Sequence, residues 1–197
     1  TDSFVFASER TKEYYEKLTP KNKKSFLIQS PVNTNFYDPS NEFTHEEFIK
    51  RNIEKKKIII GTVANVSPVK DFKFFIKIAQ KLSQLSSKVI FIVVGSVHNS
   101  QKNYYEDLLE KINSSGIKNF FFLGTRTDVR PSLKAMDIYI CSSKNESSPL
   151  ALLEAMSMEK AIVSTDVGDV SKFITNGDNG FFVKNSDDKV FVNYIKK

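Results

Sequence analysis

Two glutamates seven positions apart, Glu146 and Glu154, stand out in the stretch NESSPLALLEAM. They straddle the start of a helix. Glu146 lies in the loop that follows the apolar run Ile138-Tyr139-Ile140-Cys141. Pro149 suits the first helical position, where its missing N–H costs nothing, and Ser147 or Ser148 can cap the helix. Glu154 falls in the second turn among Leu150, Ala151, Leu152, Leu153, Ala155 and Met156. A helix apolar on nearly every side is buried, and a carboxylate there needs donors. A loop carboxylate, a helix start open to an anion and a second carboxylate one turn deeper suit a polyhydroxylated, phosphate-bearing ligand. The competing reading is a buried Glu154 satisfied by backbone or by a lysine.

The elements that must position these groups alternate between strand and helix. Apolar strand-like runs occupy 57–64, 88–95, 119–123, 137–141, 161–164 and 180–183, with helical patterns at 71–85, 101–115, 128–136, 149–158 and 169–175. Short strands separated by helices imply right-handed crossovers and a parallel sheet covered on both faces, a doubly wound α/β domain of about six strands. Asp71 and Asp128 read as N-caps, and Ser115-Gly116 as a helix end. Thr44-His45-Glu46-Glu47 reads as a capping box opening a short helix to about Arg51. In open α/β sheets ligands bind beyond the carboxyl ends of the strands. Lys70 lies in such a loop just ahead of a helix, where a cation and helix amides can share a phosphate; Arg126 in Gly124-Thr125-Arg126 lies in another, and neither is specific by itself.

Composition sets the bounds. The 197 residues are 40% hydrophobic and 26% charged, which fits a globular domain. No apolar run approaches the roughly 20 residues of a membrane span. The opening TDSFVFASERTKEYY lacks the basic-then-apolar layout of a secretory leader, so cytoplasmic placement is expected. Lys plus Arg outnumber Asp plus Glu, 29 to 23, giving a net charge of +6. Basic runs at 21–24 and 50–57 read as solvated faces, with attraction to anionic lipid headgroups as the functional alternative. A nucleic-acid reader would need a denser patch or a reading motif, and none is found. His45, His98 and Cys141 lack neighbours at metal-ligand spacing, and no Asp-x-Asp occurs, so no metal or other cofactor is expected. Cys141 reads as a small core residue. No Gly-x-Gly-x-x-Gly or Walker loop follows the first strand, which argues against dinucleotide oxidoreductases and nucleoside triphosphatases.

Taken in order, the motifs resemble the C-terminal half of retaining glycosyltransferases of the GT-B fold, the family labelled glycosyl transferases group 1. VANVSPVKDF is similar to its first strand-end loop, with Lys70 as the phosphate-binding lysine. FFLGTRTDV is similar to its loop near the nucleotide base. AMDIYICSSKNESSPLALLEAM resembles its paired-glutamate motif, and KAIVSTDVGDVSKFITNGDNGFFV the strand, glycine turn, helix and strand that follow. SFVFASERTKEYYEKL and LIQSPVNTNFYDP resemble the end of the N-terminal domain and the interdomain linker.

The resemblance implies three segments: residues 1–40 as that tail and linker, 41–185 as a nucleotide-sugar-binding Rossmann-like domain, and 186–197 as the start of a truncated helix. It implies transfer, with retention, of a sugar from a UDP- or GDP-linked donor to a glycan or lipid-linked acceptor. The parent protein would act peripherally at the inner face of the membrane; the fragment alone would be inactive. Lys70 and the helix start at Ser148-Pro149-Leu150 would hold the diphosphate, and Glu146 with the adjacent backbone the donor sugar. Glu154 would hold the ribose, and Gly124, Thr125 and Arg126 would face the base; Glu146 and Lys70 are the catalytic candidates. Six departures accompany the match. Asn65 stands where an Arg is usual, and Asp71 where a Gly follows the lysine. Ser147 and Ser148 replace a Gly and a bulky residue, and Asp169 and Lys172 replace a Gly and a Glu. Asn65 motivates a rival reading, a non-catalytic nucleotide-sugar-binding module. A further rival is an unrelated doubly wound domain that binds protein or nucleic acid.

Overall fold

A computed structural model describes residues 3–18 and 23–197, apart from the side chain of Asn185. Positions 21 and 22 of the first basic run lie outside the described residues. The chain begins with a small unit in which β1 (Ser3–Phe6) pairs parallel with β2 (Lys24–Leu27), the two flanking α1 (Glu9–Glu16). Then follow α2 (Glu47–Glu54), β3 (Ile58–Val63), α3 (Phe72–Leu85), β4 (Val89–Val94) and α4 (Lys102–Ser114). The second half holds β5 (Phe120–Gly124), α5 (Arg130–Ala135), β6 (Ile138–Cys141), α6 (Leu150–Ser157), β7 (Ala161–Thr165), α7 (Val170–Phe173), β8 (Phe181–Val183) and α8 (Asp188–Ile195).

Strands β3 to β8 form one parallel sheet in the order β5-β4-β3-β6-β7-β8. The expected doubly wound sheet of six strands is observed. Its strands read as unbroken apolar runs because both faces are covered; all six residues of VIFIVV in β4 are buried. One face packs Phe72 and Phe75 of α3, Leu108 of α4 and Phe191 of α8 against Phe91 and Phe120. The other packs Leu133, Met136, Leu152, Ala155 and Met158 against Ile59, Ile90 and Ile92, with Tyr37, Phe43 and Phe48 at its margin. Each fully buried Phe or Leu stabilises the fold by about 1.5–3 kcal/mol. The winding direction reverses between β3 and β6, so their carboxyl ends diverge into a crevice.

The β1–α1–β2 unit differs in kind. Helix α1 buries no residue, and Val5, Leu18 and Ile28 are more than 60% exposed. Its ties to the large sheet are polar. Asp169, 3% exposed, accepts the N–H groups of Glu9 (2.7 Å) and Arg10 (3.1 Å), and Lys172 pairs with Glu9. Arg10 in turn reaches the backbone and carboxylate of Asp166 at 3.0 and 2.8 Å. Two of the family departures, Asp169 and Lys172, therefore dock the α1 N-terminus on the β7 loop.

Several local expectations shift. Helix α6 starts at Leu150 with Pro149 as its N-cap and no side-chain cap bond, so neither Ser147 nor Ser148 caps it. Ser148 instead uses its carbonyl, accepting the Leu150 N–H at 2.9 Å. The capping box does not form: α2 is capped at Glu46 without a side-chain bond and runs on to Glu54. Asp128 lies one residue before the Val129 cap of α5, yet its carboxylate accepts the Arg130 N–H at 2.9 Å. Asp71 does cap α3, in the left-handed region at φ 46°, accepting from Phe74 N–H at 3.3 Å. That is why an Asp can stand where the family's Gly does: Asp tolerates this backbone better than most residues and contributes the cap.

Candidate functional site

At the switch point, the loop after β3 makes a single 3-10 turn at Pro68–Lys70 and the loop after β6 lies beside it. The two are stitched by backbone and hydroxyl contacts. Lys144 N–H donates to the Val69 carbonyl at 2.8 Å, and Ser142 Oγ donates to the Lys70 carbonyl at 2.7 Å. This brings Lys70 Nζ to 2.5 Å from Glu146 Oε1, the side chains being 30% and 14% exposed. The same oxygen accepts from Ser143 Oγ at 2.7 Å, and the Ser143 carbonyl accepts from Thr165 Oγ1 at 2.6 Å. A relay thus runs from the end of β7 through a buried serine to the carboxylate. An ion pair so held presents a cation and an anion side by side, and either can be drawn away by a ligand of opposite charge.

Around this pair, Lys70, Ser143, Glu146, Pro149 and Leu152 line a small cavity of about 30 Å³ whose wall includes Tyr139 and Cys141. Burial pushes both the Tyr139 phenol and the Cys141 thiol up, so both stay protonated, and Cys141 is core rather than nucleophile. Glu146 and Ser147 also face a cleft of about 420 Å³ against Arg10, Thr11, Tyr14 and Tyr15 of α1. Gly168 fixes the loop from below: at φ 52°, a Cβ there would lie 2.4 Å from the Ser147 carbonyl oxygen.

Glu154 is half-buried in the second turn of α6. The phenol of Tyr37 lies beside it and is pushed up to about 12, first by burial and then by its proximity to Glu154. No ion pair of Glu154, with lysine or any other cation, is found among the described residues. On the other side of β3, Asn65, Ser96, Thr125 and Arg126 line a groove of about 250 Å³. Asn65 Oδ1 accepts from Ser96 N–H at 3.1 Å and Oγ at 2.8 Å, so it braces the β4 loop. Gly124 turns at φ 73° and its carbonyl accepts the Gly95 N–H at 3.0 Å. Arg126 is paired with Glu46 and donates to the Thr125 carbonyl at 2.9 Å.

The structure therefore joins Lys70 and Glu146 directly and sets Ser147, Ser148 and Pro149 between them and α6, which Leu150 opens. Asn65, Gly124, Thr125 and Arg126 form a second group, and Glu154 a third. Sequence reasoning missed Ser142, Ser143 and Thr165, which position Lys70 and Glu146, and Tyr37, which lies beside Glu154. The hydroxyl pair ahead of Glu146 was a readable signal; Thr165 and Tyr37 had none. Among the described residues, no cluster of three or more His, Cys, Asp or Glu could hold a metal ion.

The chain is similar to known proteins along its whole length. The sequence model described as "Glycosyl transferases group 1" matches residues 43–197. The N,N'-diacetylbacillosaminyl-diphospho-undecaprenol alpha-1,3-N-acetylgalactosaminyltransferase of Campylobacter jejuni is 30% identical over 190 residues, 94% of this chain and 48% of that protein. The UDP-Gal:alpha-D-GlcNAc-diphosphoundecaprenol alpha-1,3-galactosyltransferase of Escherichia coli is 25% identical over 73% of this chain and 37% of its own length. The chain thus spans about half or less of the relatives it matches. Among solved structures, Anabaena HepE in complex with UDP and glucose superimposes with a TM-score of 0.84 at 21% identity, covering 100% of this chain and 53% of that one.

Proposed function

The chain belongs to the glycosyl transferases group 1 family, and on that premise we propose that it is the donor-binding part of a retaining glycosyltransferase. The donor is a nucleotide-diphosphate sugar; the relatives named for UDP-linked or diphospho-undecaprenol substrates support UDP as the first candidate and a lipid-linked sugar as the acceptor. The observation that carries this reading is the Lys70–Glu146 pair at the switch point, beside a helix start with no side-chain cap.

Transfer leaves an oxocarbenium-like sugar and an increasingly negative diphosphate, so a site must hold charge on one side and hydroxyls on the other. An arriving diphosphate draws Lys70 Nζ from Glu146, and the first-turn amides of α6 share the load. Glu146, released from Lys70 but still held by Ser143, turns its free lone pairs to the donor-sugar hydroxyls. Glu154 accepts from the ribose, and the Gly124–Arg126 backbone faces the base. No step needs a metal. The acceptor would enter the cleft between α1 and Glu146, completed by the remainder of the whole protein, which would cover the apolar side chains exposed on β1, α1 and β2. No helix among the described residues is long and apolar enough to cross a membrane. The net charge of +6 supports peripheral contact with an anionic cytoplasmic leaflet.

Calorimetric titration of the chain with UDP, GDP and their sugar conjugates tests the reading. One nucleotide diphosphate should bind, and Lys70→Ala should weaken it by about 10- to 100-fold, as loss of a charge-assisted contact does, while affecting the nucleoside little. No binding of any nucleotide, or equal binding by the variant, rejects it. One observation favours a second reading, a binding module without transfer. Asn65 replaces a cation and is committed to Ser96, leaving Lys70 as the lone positive side chain lining the cavity beside Glu146. Donor turnover by the whole protein separates the two.

A further inference from the structure

Asp169 stands at the N-cap of α7, where an aspartate ordinarily caps its own helix, yet its carboxylate makes no such bond. It caps α1 instead. Glu9, Arg10 and Thr11 open α1 and have no acceptor within the helix. Ser8 Oγ takes the Thr11 N–H at 3.1 Å, and Asp169 takes the Glu9 and Arg10 N–H groups at 2.7 and 3.1 Å. The carboxylate is buried, and the nearby cations are committed elsewhere, Lys172 to Glu9 and Arg10 to Asp166. Two amides and the positive end of α1 therefore hold its charge. Directly before it, Gly168 lies against the Ser147 and Glu146 carbonyls. Consecutive residues thus touch both walls of the cleft: Gly168 the loop carrying Glu146, and Asp169 the helix carrying Thr11, Tyr14 and Tyr15. Across that cleft, Thr11 Oγ1 and Ser147 Oγ are 3.4 Å apart.

We propose that Asp169 is a positioning residue for the donor sugar: by gripping the first turn of α1 it fixes that helix as the far wall of the sugar site, opposite Glu146. The inference rests on the donor-site reading and goes beyond it by giving the β1–α1–β2 unit a part in holding the sugar. Helix α1 is eight residues long and buries none of them, so neither length nor apolar packing keeps it in place. Its other ties are the pairs Arg10–Asp166 and Lys172–Glu9, in which both cations are nearly half exposed. Such pairs fix a helix weakly. A buried carboxylate bonded to two amides is charge-assisted and directional, so it sets the position and the surface pairs follow. The glycine that the family resemblance expects here has no acceptor to offer. A wall displaced by about 1 Å misplaces the sugar, while Lys70, Glu154 and the α6 amides, none of which touches Asp169, keep their hold on the nucleotide.

The test compares the unaltered chain with Asp169→Ala, which removes both acceptors, and Asp169→Asn, which keeps the shape and one of them. Amide exchange follows α1 and the sheet strands. Calorimetry measures UDP beside UDP-glucose, UDP-galactose, UDP-N-acetylglucosamine and UDP-N-acetylgalactosamine, with the GDP series in their place if the chain prefers that base. In Asp169→Ala, exchange at residues 9–12 should quicken by about tenfold or more while the strands stay protected. UDP affinity should hold within about twofold, and the best-bound sugar conjugate should lose about three- to tenfold, the size of one hydrogen bond. Asp169→Asn should fall between the two, as a partial rescue. If no nucleotide binds the unaltered chain, the donor-site reading fails and takes this inference with it. With nucleotide binding intact, three results overturn the role of Asp169 alone: α1 amides still protected in Asp169→Ala, α1 released with the sugar conjugates unweakened, or an unaltered chain that binds UDP and every conjugate equally. Equal loss for UDP and its conjugates in Asp169→Ala marks a merely structural residue and also overturns it.

Discussion

The two ends of the proposed donor site are built differently. At the Lys70–Glu146 end, the contacts that hold the pair come from the sheet and its own loops: Ser142 and Ser143 after β6, Thr165 at the end of β7, and the close approach of Gly168. At the Glu154 and Arg126 end, the neighbours come from outside the strand array: Tyr37 of the linker lies beside Glu154, and Glu46 at the start of α2 pairs with Arg126. The inner end is set once the sheet has formed, whereas the outer end depends on how the linker lies against α5 and α6. Substitutions at the inner end should therefore cost both stability and ligand affinity, and those at the outer end chiefly affinity.

The largest effect is expected at Gly168. Alanine there meets the Ser147 and Glu146 carbonyl oxygens at 2.4 and 3.1 Å in a left-handed backbone at φ 52°. Backbone strain and overpacking together should cost about 2–5 kcal/mol, visible as a lowered chemical-denaturation midpoint. The loop carrying Glu146 must move to relieve the clash, so UDP affinity should fall in parallel. A Gly168→Ala protein of unchanged stability would show that this loop yields freely and that the inner end is less rigid than its contacts imply.

Thr165→Val sharpens the same contrast with almost no change of shape. It removes the buried hydroxyl that donates to the Ser143 carbonyl at 2.6 Å, leaving an acceptor unpaired. Denaturation should report a loss of about 1–3 kcal/mol, with weaker UDP binding because Ser143 no longer fixes Glu146. At the outer end, Glu46→Ala breaks the pair with Arg126, whose side chains are 48% and 25% exposed. Stability should change by less than about 1 kcal/mol. Calorimetry should show UDP affinity within about threefold of the unaltered chain, since the backbone of Gly124–Arg126 rather than the guanidinium faces the base. A change of stability in Glu46→Ala as large as that in Thr165→Val would abolish the distinction between the two ends.

The same division explains what could be read from the sequence. The six strands were legible because a parallel sheet buries both faces, so runs such as Val89–Val94 carry no alternation to misread. Lys70 and Glu146 were legible as strand-end loop residues, and the family resemblance put both at one donor site, but their direct ion pair was not foreseen. The helix starts were less so. Ser147, Ser148 and Thr44 have the right chemistry to cap, but the caps fall at Pro149 and Glu46 because tertiary contacts decide where each turn closes. Ser147 is pinned by Gly168, and Ser148 spends its carbonyl on Leu150. Contacts spanning the chain were silent: Asp169 meets the Glu9 amide 160 positions away, and no local pattern encodes that. The closeness of Tyr37 to Glu154 was hidden in the same way, since a Tyr in a linker reads only as an aromatic residue in a turn.

The smallest predicted effect tests how the linker is anchored. The Arg130 guanidinium, by hydrogen bonding first and charge second, holds the Asp128 carboxyl below its ordinary pKa. Because that pKa is depressed in the folded state, the unfolded chain takes up its proton first as the pH falls. The contribution of the pair is therefore complete above about pH 4, the ordinary carboxylate value, and is lost as the pH drops through the lower folded value. The carboxylate is a third exposed, so solvent screens the pair. Asp128→Asn should lower the melting temperature by only about 1–2 °C at pH 7, and the gap to the unaltered chain should close below about pH 4. Because Arg130 also stacks on Phe36, the variant should loosen residues 36–39 before it loosens the sheet, which amide exchange along the linker would report. A gap that stays constant down to acid pH would mean the loss lies in packing around Arg130 and not in the ion pair.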